Sequence, residues 1–196
     1  MDELISLSLH RFKEMEIQII YRKTSRLSMR IVKNGDIHVS APFYASRKTV
    51  QKFIDDNREW IEKARKRQLE REETKQGFYE RLPLETKQNR MDAVQRLNGI
   101  ITPIIERHAR EMGVMPGEIC YRATKSKWGS CNCKTRKICF SLYLLLLPEW
   151  CIEHVVVHEL AHLIVPNHSK EFYDVMDKHF PLWREARAET KRLVCK

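Results

Sequence analysis

A chain of 196 residues with 42% hydrophobic and 32% charged side chains is long enough to bury a core, and its composition excludes wholesale disorder. Its longest apolar run, "ICFSLYLLLLPEW", is broken by Ser141 and Pro148 and falls short of the roughly 20 apolar residues needed to cross a bilayer. The formal net charge of +10 attracts polyanions but does not specify a fold, and a solubilising surface accounts for it equally well.

The opening stretch "MDELISLSLHRFKEMEIQII" carries early acids and no basic-then-apolar leader pattern, so a cytoplasmic location is expected. With that location, Cys120, Cys131, Cys133, Cys139, Cys151 and Cys195 are expected to be reduced thiols. Four of them follow C-x10-C-x-C-x5-C, unlike the paired C-x2-C of a zinc ribbon, so a second, cysteine-based metal site is not expected.

Met15, Ile17, Ile19 and Tyr21 alternate with polar residues, as in a half-buried strand. Leu27, Met29 and Ile31 alternate next, "KNGD" supplies an Asn-Gly turn, and Ile37 and Val39 continue the pattern. This predicts a small antiparallel sheet with a type I′ hairpin, ended by Pro42. Ser46 is placed to cap a helix carrying Val50, Phe53, Ile54, Ile61 and Ala64 at helical spacing. The stretch "EKARKRQLEREETKQ" loses the apolar stripe and predicts a solvated helix end running into a linker near 73–85.

A helix is expected over 88–112, with Pro103 inside it and Gly113 as its C-terminal cap. "EICYRAT" and "KICFSLYL" read as strands around the loop "KSKWGSCNCKTR". A helix then covers "PEWCIEHVVVHELAHLIV", starting at Pro148 and ended by Pro166. Ser169 begins another, with Phe172, Tyr173, Met176 and Phe180 as its apolar stripe.

Within "HELAHLIVPNH", His158 and His162 are four apart on a helix. They stack on one face about 6 Å apart along the axis, so both imidazoles can reach one ion at about 2.0–2.1 Å. Glu159 lies roughly 100° around from His158, unable to share that bond but able to reach a water on the metal and take its proton. Pro166 and Asn167 stop the helix, so that the chain returns a third ligand, His168. H-E-x-x-H alone arises by chance in roughly 3% of chains of this composition, and the third histidine at a fixed position reduces that to roughly one in 800. Three histidines with a base between them therefore point to a catalytic zinc ion. His154, one turn earlier, reads as a surface residue. His10, His38, His108 and His179 show no partner pattern.

The pieces "RATKSKWGSC", "VVVHELAHLIVPNHSKEF" and "PLWREAR", in that order, resemble the YgjP-like metallopeptidase family, a zincin group related to SprT-type domains. "SAPFYASRKTVQKFI" and "REWIEKAR" are similar to that family's N-terminal region. The resemblance implies an α+β, zincin-like catalytic domain over residues 86–196, with His158, His162 and His168 on zinc and Glu159 as general base. Residues 1–85 are expected to form a β-hairpin and helix region packed on that core or continuous with it. The resemblance also implies that Arg122, Lys125 and "WGSC" form a loop near the cleft. The chain departs from the family at Ser141, where asparagine is frequent, and Val165 replaces the glycine of the metzincin motif.

Three functions compete. A cytoplasmic zinc-dependent peptidase would pair an extended peptide or protein substrate with an edge strand, for which "KICFSLYL" is the candidate. A metal-dependent hydrolase of phosphate-bearing substrates such as nucleotides would use Arg122, Lys125, Lys127, Lys134, Arg136 and Lys137. A nucleic-acid-associated module would grip a backbone through the same loop with Trp128 and Tyr121. Arg122, Lys125, Lys127 and Trp128 are thus the candidate substrate or polyanion contacts. Glu159 argues against a purely structural metal, which is normally closed by four protein ligands and needs no base.

Overall fold

The computed structural model describes residues 3–7 and 15–195; His10 lies outside the described residues. The chain separates into two compact units, Met1–Thr74 and Lys75–Lys196.

The described residues of the first unit form four strands: β1 (Glu3–Leu7), β2 (Ile17–Arg22), β3 (Ser28–Ile31) and β4 (Ile37–Pro42). They lie in the order β1-β2-β4-β3. The sheet is mixed, which corrects the antiparallel expectation: β2 runs parallel to β4, while β1/β2 and β3/β4 are antiparallel. Burial explains the order. Ile17, Ile19 and Tyr21 on β2 and Ile37, Val39 and Ala41 on β4 are all buried, whereas β3 buries nothing fully. The two apolar strands take the centre and β3 takes an edge. Val50 and Ile54 of helix α1 (Arg47–Asp56) and Ile61 of helix α2 (Arg58–Glu80) complete this core.

The hairpin forms as expected, but its turn differs. Gly35 alone takes a positive φ, at 85°, so the turn is not type I′, which needs two such residues. The Gly35 N–H donates to the Val32 carbonyl at 2.9 Å, and the Val32 N–H donates to the Asp36 carbonyl at 2.9 Å. This is the longer hairpin loop in which glycine makes a bulge. Ser46 caps α1 by accepting the Thr49 N–H at 3.1 Å. Helix α2 continues to Glu80, through the expected start of the linker at 73, because it contains nothing that breaks a helix outright; Gly77 is tolerated.

The second unit begins with helix α3 (Lys87–Met112), capped by Thr86 and continuous through Pro103. Three strands follow, β5 (Ile119–Arg122), β6 (Gly129–Asn132) and β7 (Lys137–Ser141), then a 3-10 turn (Leu142–Leu146). Helices α4 (Glu149–Ala161), α5 (Lys170–His179) and α6 (Trp183–Val194) complete it. Helix α4 is apolar almost all round, and Ile152, Val156, Val157 and Leu160 are buried. A helix of that kind belongs at the centre of a core. It packs against α3, α5, α6 and β6, and each such side chain contributes about 1.5–3 kcal/mol by leaving water.

The strand order is β5-β7-β6, with β5 parallel and β6 antiparallel to β7. β7 is therefore the central strand and has no free edge for a substrate, which corrects that expectation; β6 has one. Its position follows from composition, since Ile138 and Phe140 make β7 the buried strand. The parallel register sets Cys120 opposite Cys139 with Cα atoms 4.5 Å apart, and the two form a disulfide, against the expectation of six reduced thiols. Cys131, Cys133 and Cys151 form no disulfide. No helix among the described residues is long and apolar enough to cross a membrane.

Gly113 ends α3 in the left-handed region at φ 66°, with nothing within 4 Å of where a Cβ would sit. Gly113→Ala should therefore cost backbone strain alone, about 1–2 kcal/mol. A chemical denaturation midpoint unchanged by this variant would show that the cap contributes nothing.

Candidate active site

Helix α4 presents His158 and His162 one turn apart, and the regular helix ends at Ala161, with His162 as its capping residue at φ −66° and ψ −18°. The helix thus stops several residues before Pro166, because the chain tightens first. The Leu163 N–H reaches the Leu160 carbonyl at 3.0 Å and the Ile164 N–H reaches the Ala161 carbonyl at 3.0 Å. Pro166 has no N–H to continue the ladder. Asn167 then accepts the Ser169 N–H on its side-chain oxygen at 3.2 Å, a local turn that delivers His168 at the start of α5.

One ring nitrogen from each of His158, His162 and His168 lies within 4.8 Å of the others. His158 Nε2 and His168 Nε2 are 3.1 Å apart. Two donors about 2.1 Å from one tetrahedral ion stand about 3.4 Å apart, so these atoms are close to a ligand arrangement. The His162 Nδ1–H donates to the Val165 carbonyl at 3.2 Å, which fixes the tautomer and leaves Nε2 with its lone pair for a metal. Burial, reinforced by the neighbouring His162 ring, pulls His158 down to about 3, and burial lowers His162 as well. Neutral imidazoles are the form that ligates. Three nitrogen donors in one cluster therefore fit a divalent transition metal.

The rings are held by Phe172, which is fully buried, with its centroid 4.9, 4.7 and 4.8 Å from those of His158, His162 and His168. Glu159 is 5% exposed and packs against β6 at Gly129. A Cβ on Gly129 would stand under 3.0 Å from Glu159 Oε1, Cγ and Cδ. Burial pushes the Glu159 carboxyl up to about 7, and the charge of Lys127 opposes this. The glycine of "WGSC" thus makes room for the carboxylate.

The cleft over these groups has a volume of about 520 Å³, and Lys127, Trp128, His158, Glu159 and His168 line it. Trp128 is half-buried and meets Phe78 edge-on at 6.4 Å. The other cations of 122–137 do not converge there. Lys125 reaches Gln76 at 3.3 Å and lies over the rings of Tyr79 and Tyr143. Arg136 donates to the Met115 carbonyl, and Lys137 pairs with Glu118 at 2.7 Å. Arg122 lines a separate, smaller pocket of about 110 Å³, which Lys127 also borders.

His154 is buried rather than a surface residue, and it lines the cleft. His108 is buried against Glu153, 2.7 Å away, a partner 45 residues on that local spacing does not reveal. In the sequence, Arg187, which also lines the cleft, stands out only as the last residue of "PLWREAR", Gly129 only as part of the "WGSC" loop, and Phe172 only as part of an apolar stripe; their places at the site come from contacts between elements.

Adding a methyl at Gly129 should push the Glu159 carboxylate out of its place. Gly129→Ala is expected to lower stability by about 1–3 kcal/mol by overpacking, with metal stoichiometry unchanged, as measured by denaturant titration and elemental analysis. A neutral stability change would mean that the strand and the carboxylate are not in contact.

Residues 78–193, more than half of the chain, match the YgjP-like metallopeptidase domain. Among solved structures, the metallopeptidase zymogen abylysin of Pyrococcus abyssi is similar at 26% identity, over 46% of this chain and 93% of that one, with a TM-score of 0.42. The zymogen jannalysin of Methanocaldococcus jannaschii is similar at 19% identity, over 47% of this chain and 94% of that one, with a TM-score of 0.43. No curated protein matches. The matched span carries the three clustered histidines, the buried carboxylate and the cleft, and the chain belongs to the YgjP-like metallopeptidase family, as a metal-dependent peptidase.

Proposed function

We propose that this peptidase holds zinc through His158, His162 and His168, uses Glu159 as general base, and binds its peptide or protein substrate in extended form along the open edge of β6. The observation that carries this reading is the convergence of three imidazole nitrogens beside a buried carboxylate in one cleft. Zinc is preferred because an all-imidazole set of three suits it and leaves a coordination position open. When bound, zinc supplies Lewis acidity, polarising a carbonyl and lowering the pKa of a water to about 7.

The chain's own groups do the rest. Glu159 receives the proton of the attacking water on a carboxylate oxygen and passes it to the leaving amine. Burial raises the proton affinity of that carboxyl, which favours its taking a proton. His162, fixed by the Val165 carbonyl, keeps its donor nitrogen aimed without reorganisation. β6 pairs with β7 on one side only, so main-chain groups on its other side are available to a peptide lying past Glu159. In this reading residues 86–196 are the zincin-like catalytic domain and 1–85 an appended region. The phosphate and nucleic-acid readings drew on six cations, and the engagement of Lys125, Arg136 and Lys137 within the fold weighs against them.

Glu159→Gln should retain zinc and lose activity on a peptide substrate by roughly 10²–10⁴. Zinc content and turnover are measured on one preparation. Retained zinc with unchanged turnover removes Glu159 from the chemistry, and lost zinc makes it a ligand.

His162→Ala should abolish zinc binding, and the melting temperature of the wild type should drop to that of the variant when a chelator strips the metal. Full zinc occupancy in the His162→Ala protein would overturn the ligand set.

A further inference from the structure

Beyond the histidines, the same cleft extends between α4, α5 and α6, where His154, Phe172, Tyr173, Trp183 and Arg187 line it with Lys127 at its other side. The aromatic part is preorganised. Tyr173 and Trp183 stack with centroids 5.1 Å apart, and Trp183 Nε1–H donates to Asp177 at 2.7 Å, which fixes the indole plane. Such a wall accepts the apolar stem of a side chain.

Among the described residues, Lys127 and Arg187 of this extension form no ion pair, and His154 Nδ1 has no hydrogen-bond partner. Lys127 and Arg187 are the cationic side chains of the cleft, and Glu159 is its one carboxylate, already placed beside the histidines. Asp177 on α5 is engaged by Arg184 at 2.6 Å and by Trp183. His154 is 8% exposed, and its Nδ1 is buried with no hydrogen-bond partner. A buried ring nitrogen left unmet costs about 1–3 kcal/mol, which an ordered water, an ion or a ligand group would relieve. Arg187 lines the same cleft as His154, His158, Glu159 and His168, so an anion held by Arg187 lies in the cleft that carries the histidines.

We infer that this extension is a specificity subsite for a carboxylate on the peptide substrate, held by Arg187 with His154 as a second donor while the carbon stem rests on Tyr173 and Trp183. The guanidinium offers a planar fork that matches a carboxylate, and a neutral imidazole supplies one further N–H. The carboxylate belongs either to an acidic side chain next to the scissile bond or to the substrate's own C-terminus. The subsite rests on the peptidase reading above, but its test separates the two.

The zinc-loaded Glu159→Gln protein is titrated by tryptophan fluorescence with Ala-Glu-Ala and Ala-Gln-Ala, each as free acid and as C-terminal amide, and with inorganic phosphate. A carboxylate-bearing peptide is expected to bind about 10–100-fold more tightly than the amide of Ala-Gln-Ala. The amide of Ala-Glu-Ala reports the side chain as the source, and the free acid of Ala-Gln-Ala reports the C-terminus. Adding Arg187→Gln should erase the preference with zinc content unchanged. His154→Leu should hold or raise the melting temperature while weakening the carboxylate peptide. Equal affinity for all four peptides, a preference that survives Arg187→Gln, or tight phosphate binding without a carboxylate preference each overturns the inference. Wild-type turnover of the same peptides tells the two readings apart. A carboxylate preference in binding with no peptide cleaved defeats the peptidase reading alone, whereas cleavage indifferent to the carboxylate defeats the subsite alone.

Discussion

The site depends on one packing relation, the seating of the Phe172 ring against all three imidazoles at once. His158 and His162 belong to α4 and His168 to the segment after it, so helix geometry alone aligns only two of the three. Phe172 sits on α5, fully buried, and fixes where that helix begins relative to α4. The third histidine is thereby positioned by a core contact rather than by its own loop. Removing a buried phenylalanine from such a place typically costs about 3–5 kcal/mol, far more than the turn between Pro166 and Ser169 could recover. The histidine cluster and the core are one piece of packing.

A second close approach couples the carboxylate to the sheet. Gly129 opens β6, and Glu159 lies against its backbone with no room for a side chain between them. The strand proposed to align the substrate and the group proposed to act on it are therefore spaced by direct contact. Such a spacing resists error, because neither part can shift without moving the other.

How far the sequence disclosed this depends on range. The clustered histidines of "HELAHLIVPNH", the Gly113 cap, the Ser46 cap and the hairpin around Gly35 are written in spacings of a few residues, and all were legible. The parallel β2/β4 and β5/β7 pairings were not, because alternation reveals a strand but not its neighbour. That gap placed β7 at an edge and hid the Cys120–Cys139 bond, which exists only once the register is known. His154 read as a surface residue because one polar side chain on an apolar helix gives no hint of which face a later helix will cover. The six cations of 122–137 looked like one patch, but a strand–turn–strand path sends alternate side chains to opposite faces and scatters them.

The shortness of β6 has a consequence for how selective the enzyme can be. Its four residues, Gly129–Asn132, expose only a few ladder groups along the open side. An unguarded edge invites any extended chain, including another copy of the same protein, and long flat edges are where proteins clump. Four residues flanked by Lys127 and Lys134 give such a visitor little to hold and a repulsive charge to meet if it is basic. A chain that stays must find anchorage beyond the ladder, in the walls of the adjoining cleft. In the proposed binding mode, the brevity of the strand hands discrimination to the side chains of the guest.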